Sequence, residues 1–210
     1  MTIAAASKNE ELCPVARHIA RAAARLFAER GFDATSVREI VEAAGVAKPT
    51  LYYYFGSKEG LAQALITAPL STLGSTLEQI VLRVEDPVNC LEQVIEAHYS
   101  FCREDPDRAR FIYALMFGPL GSEVGRELEL PKECLADCTS AAVRRLAEVQ
   151  ILPLHRVDSC ATACRGLIVI STLDYLYHDK PLGCDLARQN VHDLLRGFGD
   201  SRYLKELESY

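Results

Sequence analysis

Apolar residues recur every three or four positions along most of the 210-residue chain. In the first such segment they fall one helical turn apart, as on one face of an amphipathic helix, at Val15, Ile19, Ala22, Ala23, Leu26 and Phe27. Neither an alternating strand pattern bounded by turn residues nor an internal repeat is present. The sequence therefore predicts an all-α protein of about nine helices.

Helix start and stop residues divide the first 60 positions into short elements. Gly31 is predicted to end the first helix. The segment Ser36–Glu39 has the pattern of a capping box, in which the serine caps a second helix and the glutamate reaches back to it. After a turn at Gly45, a third short helix is predicted over residues 48–55. Ser57 is predicted to cap the fourth helix.

Longer helices follow. Asp86 and Asp105 each precede a proline, and this pair predicts helix starts, with helices near 87–104 and 106–117. A further helical region is predicted over about 122–150 with a break at Pro131, followed by a helix capped by Asp158 that ends near 178. The final helix is predicted near 184–198.

Two short helices on either side of a glycine turn form a helix-turn-helix candidate. In such a unit the first helix crosses the phosphate backbone and the second enters the major groove. Leu51 and Phe55 lie four residues apart and are predicted to anchor the second helix. The side chains predicted to contact DNA lie on this helix and near the N-termini of its neighbours; they are Thr35, Ser36, Arg38, Lys48, Pro49, Thr50, Tyr52, Tyr53, Tyr54 and Lys58.

The three consecutive tyrosines carry most of this hypothesis. Phenolic hydroxyls can donate to phosphates, and the rings can contact sugars or thymine methyl groups. Lys58 begins the next helix, where the helix dipole also favours a phosphate. The alternatives are that one or more rings pack against the first helix, and that Arg38 belongs to a solvated helix surface.

The same residues resemble a known family. Residues 32–40 and 44–59, with the pattern G-V-x-x-x-T-L-Y-x-Y-F-x-S-K, look like the DNA-binding domain of TetR-type transcriptional regulators. Where that family often has serine and glycine in the recognition helix, this chain has Ala47 and Pro49, and proline also occurs there in the family.

The resemblance implies a three-helix DNA-binding domain, a connecting fourth helix and a divergent helical domain that binds ligand and dimerises. We place these domains at residues 1–57 and 58–210. Such proteins are homodimers joined largely by their last two helices, and most are repressors that a small molecule releases from a palindromic operator. The predicted dimer contacts are Leu167, Ile170, Leu173, Tyr177, Leu186, Leu194, Leu195 and Phe198.

Aromatic and polar residues of the middle helices are candidates for an effector pocket. The predicted lining is His98, Tyr99, Cys102, Phe111, Tyr113, Met116 and Tyr175. Ordinary core packing is the alternative for the aromatic residues, and for His98 it is a hydrogen-bonded core histidine.

Charge and hydropathy narrow the possible partners. The net charge is −6, of which the first 60 residues contribute +1. This balance argues against a general polyanion binder but allows a local basic surface. No apolar run approaches the roughly 20 residues of a membrane helix, and the N-terminus lacks a signal-peptide core. We therefore expect a cytoplasmic protein with no membrane partner.

Eight cysteines leave three interpretations open. Buried thiols commonly act as small apolar residues. The pairs Cys134/Cys138 and Cys160/Cys164, each one helical turn apart, could instead bind a soft metal with His98 or His155. They could also form a disulfide switch. No CxxC pair is present, and we predict no metal and no cofactor.

The sequence therefore favours a ligand-responsive DNA-binding repressor whose partners are a double-stranded operator, a small, mainly apolar effector and a second copy of the chain. The alternatives are a thiol-based redox-sensing repressor and a helical adaptor that binds a protein. An enzyme is not expected, because the chain has no ExxH pairs, no glycine-rich phosphate loop and no GxSxG elbow.

Overall fold

The computed structural model describes residues 13–118 and 123–199. Over these ranges the chain is helical and has no β-strand, as predicted. The helices are α1 Pro14–Arg30, α2 Val37–Ala43, α3 Lys48–Phe55, α4 Lys58–Arg83, α5 Pro87–Glu104, α6 Pro106–Met116, α7 Glu123–Arg126, α8 Glu129–Glu148, α9 Val157–His178 and α10 Cys184–Phe198. A single 3₁₀ turn, Leu154–Arg156, precedes α9.

Local capping explains most of these boundaries. Asp86 accepts hydrogen bonds from the backbone N–H groups of Val88 and Asn89, and Asp105 accepts one from Arg108. Both predicted helix starts are confirmed, because each carboxylate satisfies N–H groups that have no partner within the helix.

Two predicted boundaries differ from the structure. The break lies just before Glu129, and Pro131 sits in the first turn of α8, where its missing N–H costs nothing. Asp158 does not cap α9. It lies within the first turn of that helix, and Arg156 is the residue at the cap.

The first hydrophobic cluster joins the three N-terminal helices to parts of α4 and α6. Leu51 of α3 is fully buried in it. So are Ile19 and Phe27 of α1, and Ile40 of α2. The two short helices, α2 and α3, each contribute only a few apolar side chains to this cluster. Their stability therefore depends on packing against neighbouring helices.

The second hydrophobic cluster fills the larger domain. It is built from the C-terminal part of α4 together with α5, α8, α9 and α10, with fully buried side chains such as Leu77, Leu91, Ile95, Leu146 and Val191. No helix in the described ranges is both long enough and apolar enough to cross a membrane.

Helices α4 and α6 contribute to both clusters. Within α4, Leu61 to Leu70 pack with the N-terminal helices, and Leu73 and Leu77 pack with the larger domain. Pro69 lies inside α4, close to this change of partner. In α6, Ala109 belongs to the second cluster and Phe111 to the first. A displacement of either helix would therefore be felt in both clusters.

Candidate nucleic-acid interface and ligand cavity

The turn between α2 and α3 sets the angle of the candidate recognition helix. Gly45 has φ of +59°, which favours glycine. The backbone N–H of Val46 then donates to the carbonyl of Val41 at 3.0 Å. Ser36 and Glu39 form the capping box that the sequence predicts at the start of α2.

The outward surface of α3 is aromatic. The relative exposure is 47% for Tyr52, 82% for Tyr53 and 37% for Tyr54, whereas Leu51 is fully buried. Lys48 and Pro49 are also exposed, and Thr50 is half-buried. The helix therefore presents phenol groups, a lysine and a proline on its accessible side.

Tyr54 has a partner that the sequence pattern does not reveal. Its hydroxyl lies 3.4 Å from the Sγ atom of Cys13, the residue at the cap of α1. This hydrogen bond raises the pKa of Tyr54 above its usual value. The Tyr54 ring also makes an edge contact with Tyr53, with 5.0 Å between centroids. The hydroxyl and the ring of Tyr54 therefore both contact neighbouring side chains.

Thr35 and Ser36 use their hydroxyl groups within the protein. Thr35 is buried, and its Oγ1 donates to the carbonyl of Gly31 at 2.8 Å. The hydroxyl of Ser36 donates to Glu39 at 2.7 Å, so its only hydrogen is already engaged. The DNA-contacting surface proposed below therefore excludes the Thr35 side chain and would need the capping box to open for Ser36.

Arg38 lies on the exposed side of α2. Its Nε donates to Glu42 at 2.7 Å, one helical turn away. Because solvent screens exposed pairs of this kind, the guanidinium can exchange the carboxylate for a phosphate at little cost.

Lys58 ties the α1–α2 loop to the start of α4. Its Nζ donates to the carbonyls of Phe32 and Thr35, each at 3.0 Å, and lies 4.1 Å from the centroid of the Phe32 ring. An ammonium group has three N–H donors. The phosphate contact predicted from the sequence would therefore use the third.

We expect Lys58→Met to lower the free energy of unfolding by about 1–3 kcal/mol, because two hydrogen bonds from a charged donor are lost while the aliphatic stem is kept. Chemical denaturation measures this change. If the third donor also contacts a phosphate, the slope of log affinity against log salt should fall by about 1. Unchanged stability would contradict the structural role of Lys58, and an unchanged salt slope would contradict its phosphate contact.

A cavity of about 400 Å³ lies between α4, α5, α6, α8 and α9. We call it the central cavity. Four residues predicted for the effector pocket line it, namely His98, Cys102, Tyr113 and Met116. Burial raises the pKa of the Cys102 thiol to about 11, so this sulfur stays protonated at neutral pH.

The other three predicted pocket residues lie elsewhere. Tyr99 is fully buried in the second cluster, and its hydroxyl accepts a hydrogen bond from Asn190 at 2.7 Å. Phe111 packs against Phe27 of α1, with 4.9 Å between ring centroids. Tyr175 packs against the second cluster and does not line the central cavity. Helical periodicity locates the inward face of a helix, but it does not show where that face leaves a space.

Several cavity residues were not predicted, because they come from helices distant in sequence. Phe101 adds a further aromatic ring, and Leu135 and Ile168 add apolar surface from α8 and α9. The charged residues in the lining, Lys132 and Arg165, are both basic. Arg165 donates to the hydroxyls of Ser140 and Thr162 rather than to a carboxylate in the described ranges.

The predicted dimer residues on α9 and α10 differ in their exposure to solvent. On α9, Ile170 and Tyr177 are 59% and 56% exposed, and Leu167 and Leu173 are half-buried. On α10, Leu186 and Phe198 are half-buried.

The structure corrects the prediction that Leu194 and Leu195 are dimer contacts. Both are buried within the chain's own second cluster, so they are not available to a second subunit. The apolar stripe of α10 covers the core of its own domain. The side chains that this helix exposes are polar, and they include Gln189, His192 and Arg196.

The cysteines are all free thiols. Cys90, Cys102, Cys138, Cys160 and Cys164 are buried, whereas Cys13 and Cys184 are exposed. Burial raises the pKa of Cys160 to about 11 and that of Cys164 to about 12, so these thiols are protonated and pack as small apolar groups. In the part of the chain that the structure describes, no three His, Cys, Asp or Glu residues are grouped to hold a metal ion.

Comparison with known proteins agrees with this geometry. The family described as bacterial regulatory proteins, tetR family, matches residues 19–65. The transcriptional activator FasR of Mycolicibacterium smegmatis is 28% identical over 166 residues, which are 79% of this chain and 74% of FasR.

Two solved structures extend the likeness to the larger domain. The TetR family regulator PfmR of Thermus thermophilus is 26% identical, with a TM-score of 0.69, over 85% of this chain and 94% of that one. FadR of Bacillus subtilis in complex with stearoyl-CoA has a TM-score of 0.67 at 20% identity, over 87% and 98% of the two chains.

The fold and the α2–α3 unit define a helix-turn-helix DNA-binding protein with a larger helical domain. The family match over residues 19–65 and the structural likeness over both parts support a TetR-type transcriptional regulator.

Proposed function

We propose that the protein is a dimeric repressor that binds a palindromic operator through α3 and leaves it when a small, mainly apolar molecule occupies the central cavity. The observation that carries this proposal is the position of α6. Ile112, Tyr113 and Met116 of this helix line the cavity, and Phe111 packs against Phe27 of α1. One short helix thus contacts both the cavity and the DNA-binding domain.

The DNA side of the proposal rests on α3. Tyr52, Tyr53 and Lys48 form its accessible surface, and the third donor of Lys58 and the Arg38 guanidinium flank it. In a major groove these groups combine donors to phosphates with rings that contact sugars and thymine methyl groups.

Release requires that the ligand bind the free conformation better than the DNA-bound one. A dimer reads half-sites about 34–36 Å apart, or multiples of that distance, so small shifts of the two domains suffice. A ligand that displaces α6, or the part of α4 beyond Pro69, would move the N-terminal helices through the Phe111–Phe27 contact and the shared α4 core.

The cavity also restricts the ligand. Its lining is mainly apolar, and Lys132 and Arg165 are its charged residues. Lys132 pairs with Glu129 at 3.3 Å, whereas Arg165 donates to two hydroxyl groups, so the lining favours mainly apolar molecules and Arg165 disfavours cations. FadR of Bacillus subtilis, which has the same fold, is solved with stearoyl-CoA. We include long apolar acids and their thioesters among the ligands to test.

The test measures binding to DNA from the protein's own promoter region by fluorescence anisotropy, with and without an apolar extract of the cells. Ala136→Phe fills part of the cavity. We expect this variant to bind DNA normally but to need about tenfold more extract for release, since overpacking a site costs about 1–3 kcal/mol.

Asp137→Phe is the matched control, because Asp137 is the neighbouring residue on the same helix and does not line the cavity. It should respond like the unmodified protein. Absence of specific DNA binding would contradict the regulator proposal. Equal release of both variants, or release that requires an oxidant, would contradict the cavity as the effector site.

A further inference from the structure

His98 places an unpaired hydrogen-bond acceptor at the central cavity. It lies on α5, and its Nδ1 is 2.8 Å from the carbonyl oxygen of Val94, one turn earlier. Because a carbonyl can only accept, Nδ1 must carry the hydrogen. In a neutral imidazole the other nitrogen, Nε2, then has a lone pair and no hydrogen.

The surroundings keep this ring neutral. Burial lowers the pKa of His98 below its usual value. The hydrogen bond to the Val94 carbonyl raises the pKa, but the effect of burial is the larger of the two. A protonated ring, which would donate from both nitrogens, is therefore disfavoured at neutral pH.

The protein does not satisfy Nε2 itself. Within residues 13–118 and 123–199, the hydrogen bond of His98 is the one from Nδ1 to Val94. The nearby hydroxyl of Thr139 donates to the carbonyl of Leu135 at 2.9 Å, so its hydrogen is engaged. The Tyr113 hydroxyl, which also belongs to the cavity lining, makes no hydrogen bond to Nε2 among the described residues. A donor for Nε2 has to come from whatever fills the cavity.

We propose that the ligand of the central cavity is an apolar molecule with a hydroxyl group that donates to Nε2 of His98. This inference rests on the proposed role of the cavity and adds the chemical class of its occupant. A ligand without a donor would displace water from Nε2 and leave the acceptor unpaired, and sites with such a group reject analogues that cannot satisfy it. His98 is then the residue that distinguishes hydroxylated molecules from their ethers.

The experiment compares para-octylphenol with para-octylanisole, which differ in having O–H or O–CH₃ at the same position. Each compound displaces the fluorescent probe anilinonaphthalene sulfonate from the purified full-length protein, without DNA. We expect para-octylphenol to bind about tenfold more tightly, the factor for one satisfied hydrogen bond.

His98→Phe should remove this preference by weakening the binding of the phenol. His98→Gln should retain part of it, because the amide oxygen can accept. His155→Phe is the matched control, since His155 is exposed on the 3₁₀ turn outside the cavity. Thermal unfolding of each variant reports whether it is folded.

Equal affinity of the two compounds for the unmodified protein would overturn the inference, and this comparison needs no variant. A preference that survives in His98→Phe would also overturn it, as would failure of both compounds to displace the probe. Preferential binding of the phenol without release of the protein from DNA would instead contradict the proposed function and leave the role of His98 intact.

Discussion

Replacing Tyr52 and Tyr53 together with alanine is expected to weaken binding to operator DNA by about 100-fold, because each ring that reaches a phosphate or base contributes about 1–3 kcal/mol. The free energy of unfolding should change by no more than about 0.5 kcal/mol, the usual range for surface positions. Leu51, which anchors α3 in the first cluster, is untouched. Fluorescence anisotropy and chemical denaturation measure the two quantities.

Two controls separate the role of the rings from that of the hydroxyls. The double substitution Tyr52→Phe with Tyr53→Phe keeps the rings and should lose only the part of the affinity that comes from donation to phosphates. Leu82→Ala removes an apolar side chain near the end of α4 that is about as exposed as Tyr53, and this variant should bind DNA normally. If the double alanine variant keeps its affinity, α3 does not contact the operator through these residues.

The helices of this protein are predictable because their signals are local. Asp86 and Asp105 bond to N–H groups two or three residues away, so the sequence alone contains both partners. Leu51 and Phe55 lie one turn apart on a short helix with few other apolar residues, and both pack in the first cluster.

The details of the interface depend on contacts that spacing does not show. Lys58 donates to the carbonyls of Phe32 and Thr35, more than 20 positions earlier, and this pairing depends on the path of the loop between α1 and α2. The Thr35 hydroxyl turns back to Gly31 for the same reason. A helix N-terminus in the sequence predicts a place for a phosphate, but it does not show which donors the protein already uses.

The central cavity is less predictable still. Its lining comes from five helices, and whether facing side chains meet or leave a space depends on how those helices pack. Tyr99 and His98 are adjacent in sequence, yet the first is a core residue and the second lines the cavity. The apolar pattern of α10 also does not show which partner the helix packs against. It predicts Leu194 and Leu195 as dimer contacts, but both pack inside their own domain.

The exposed apolar residues of α9 therefore carry the dimer proposal. A chain of 23.2 kDa should have twice that mass in solution if Ile170 and Tyr177 are covered by a second copy. Ile170→Glu places a carboxylate on this face. In a two-fold interface every change occurs twice, so this variant introduces two unpaired charges and removes two apolar contacts. We expect it to be monomeric by light scattering at micromolar concentration.

Loss of the dimer should weaken operator binding by about 100-fold or more, because a second half-site adds avidity only when the two recognition helices are linked. Leu154→Glu is the control, since it adds the same charge at another exposed apolar position. It should remain dimeric and bind DNA normally. An Ile170→Glu variant that keeps both the doubled mass and full operator affinity would show that a surface other than this face of α9 joins the subunits.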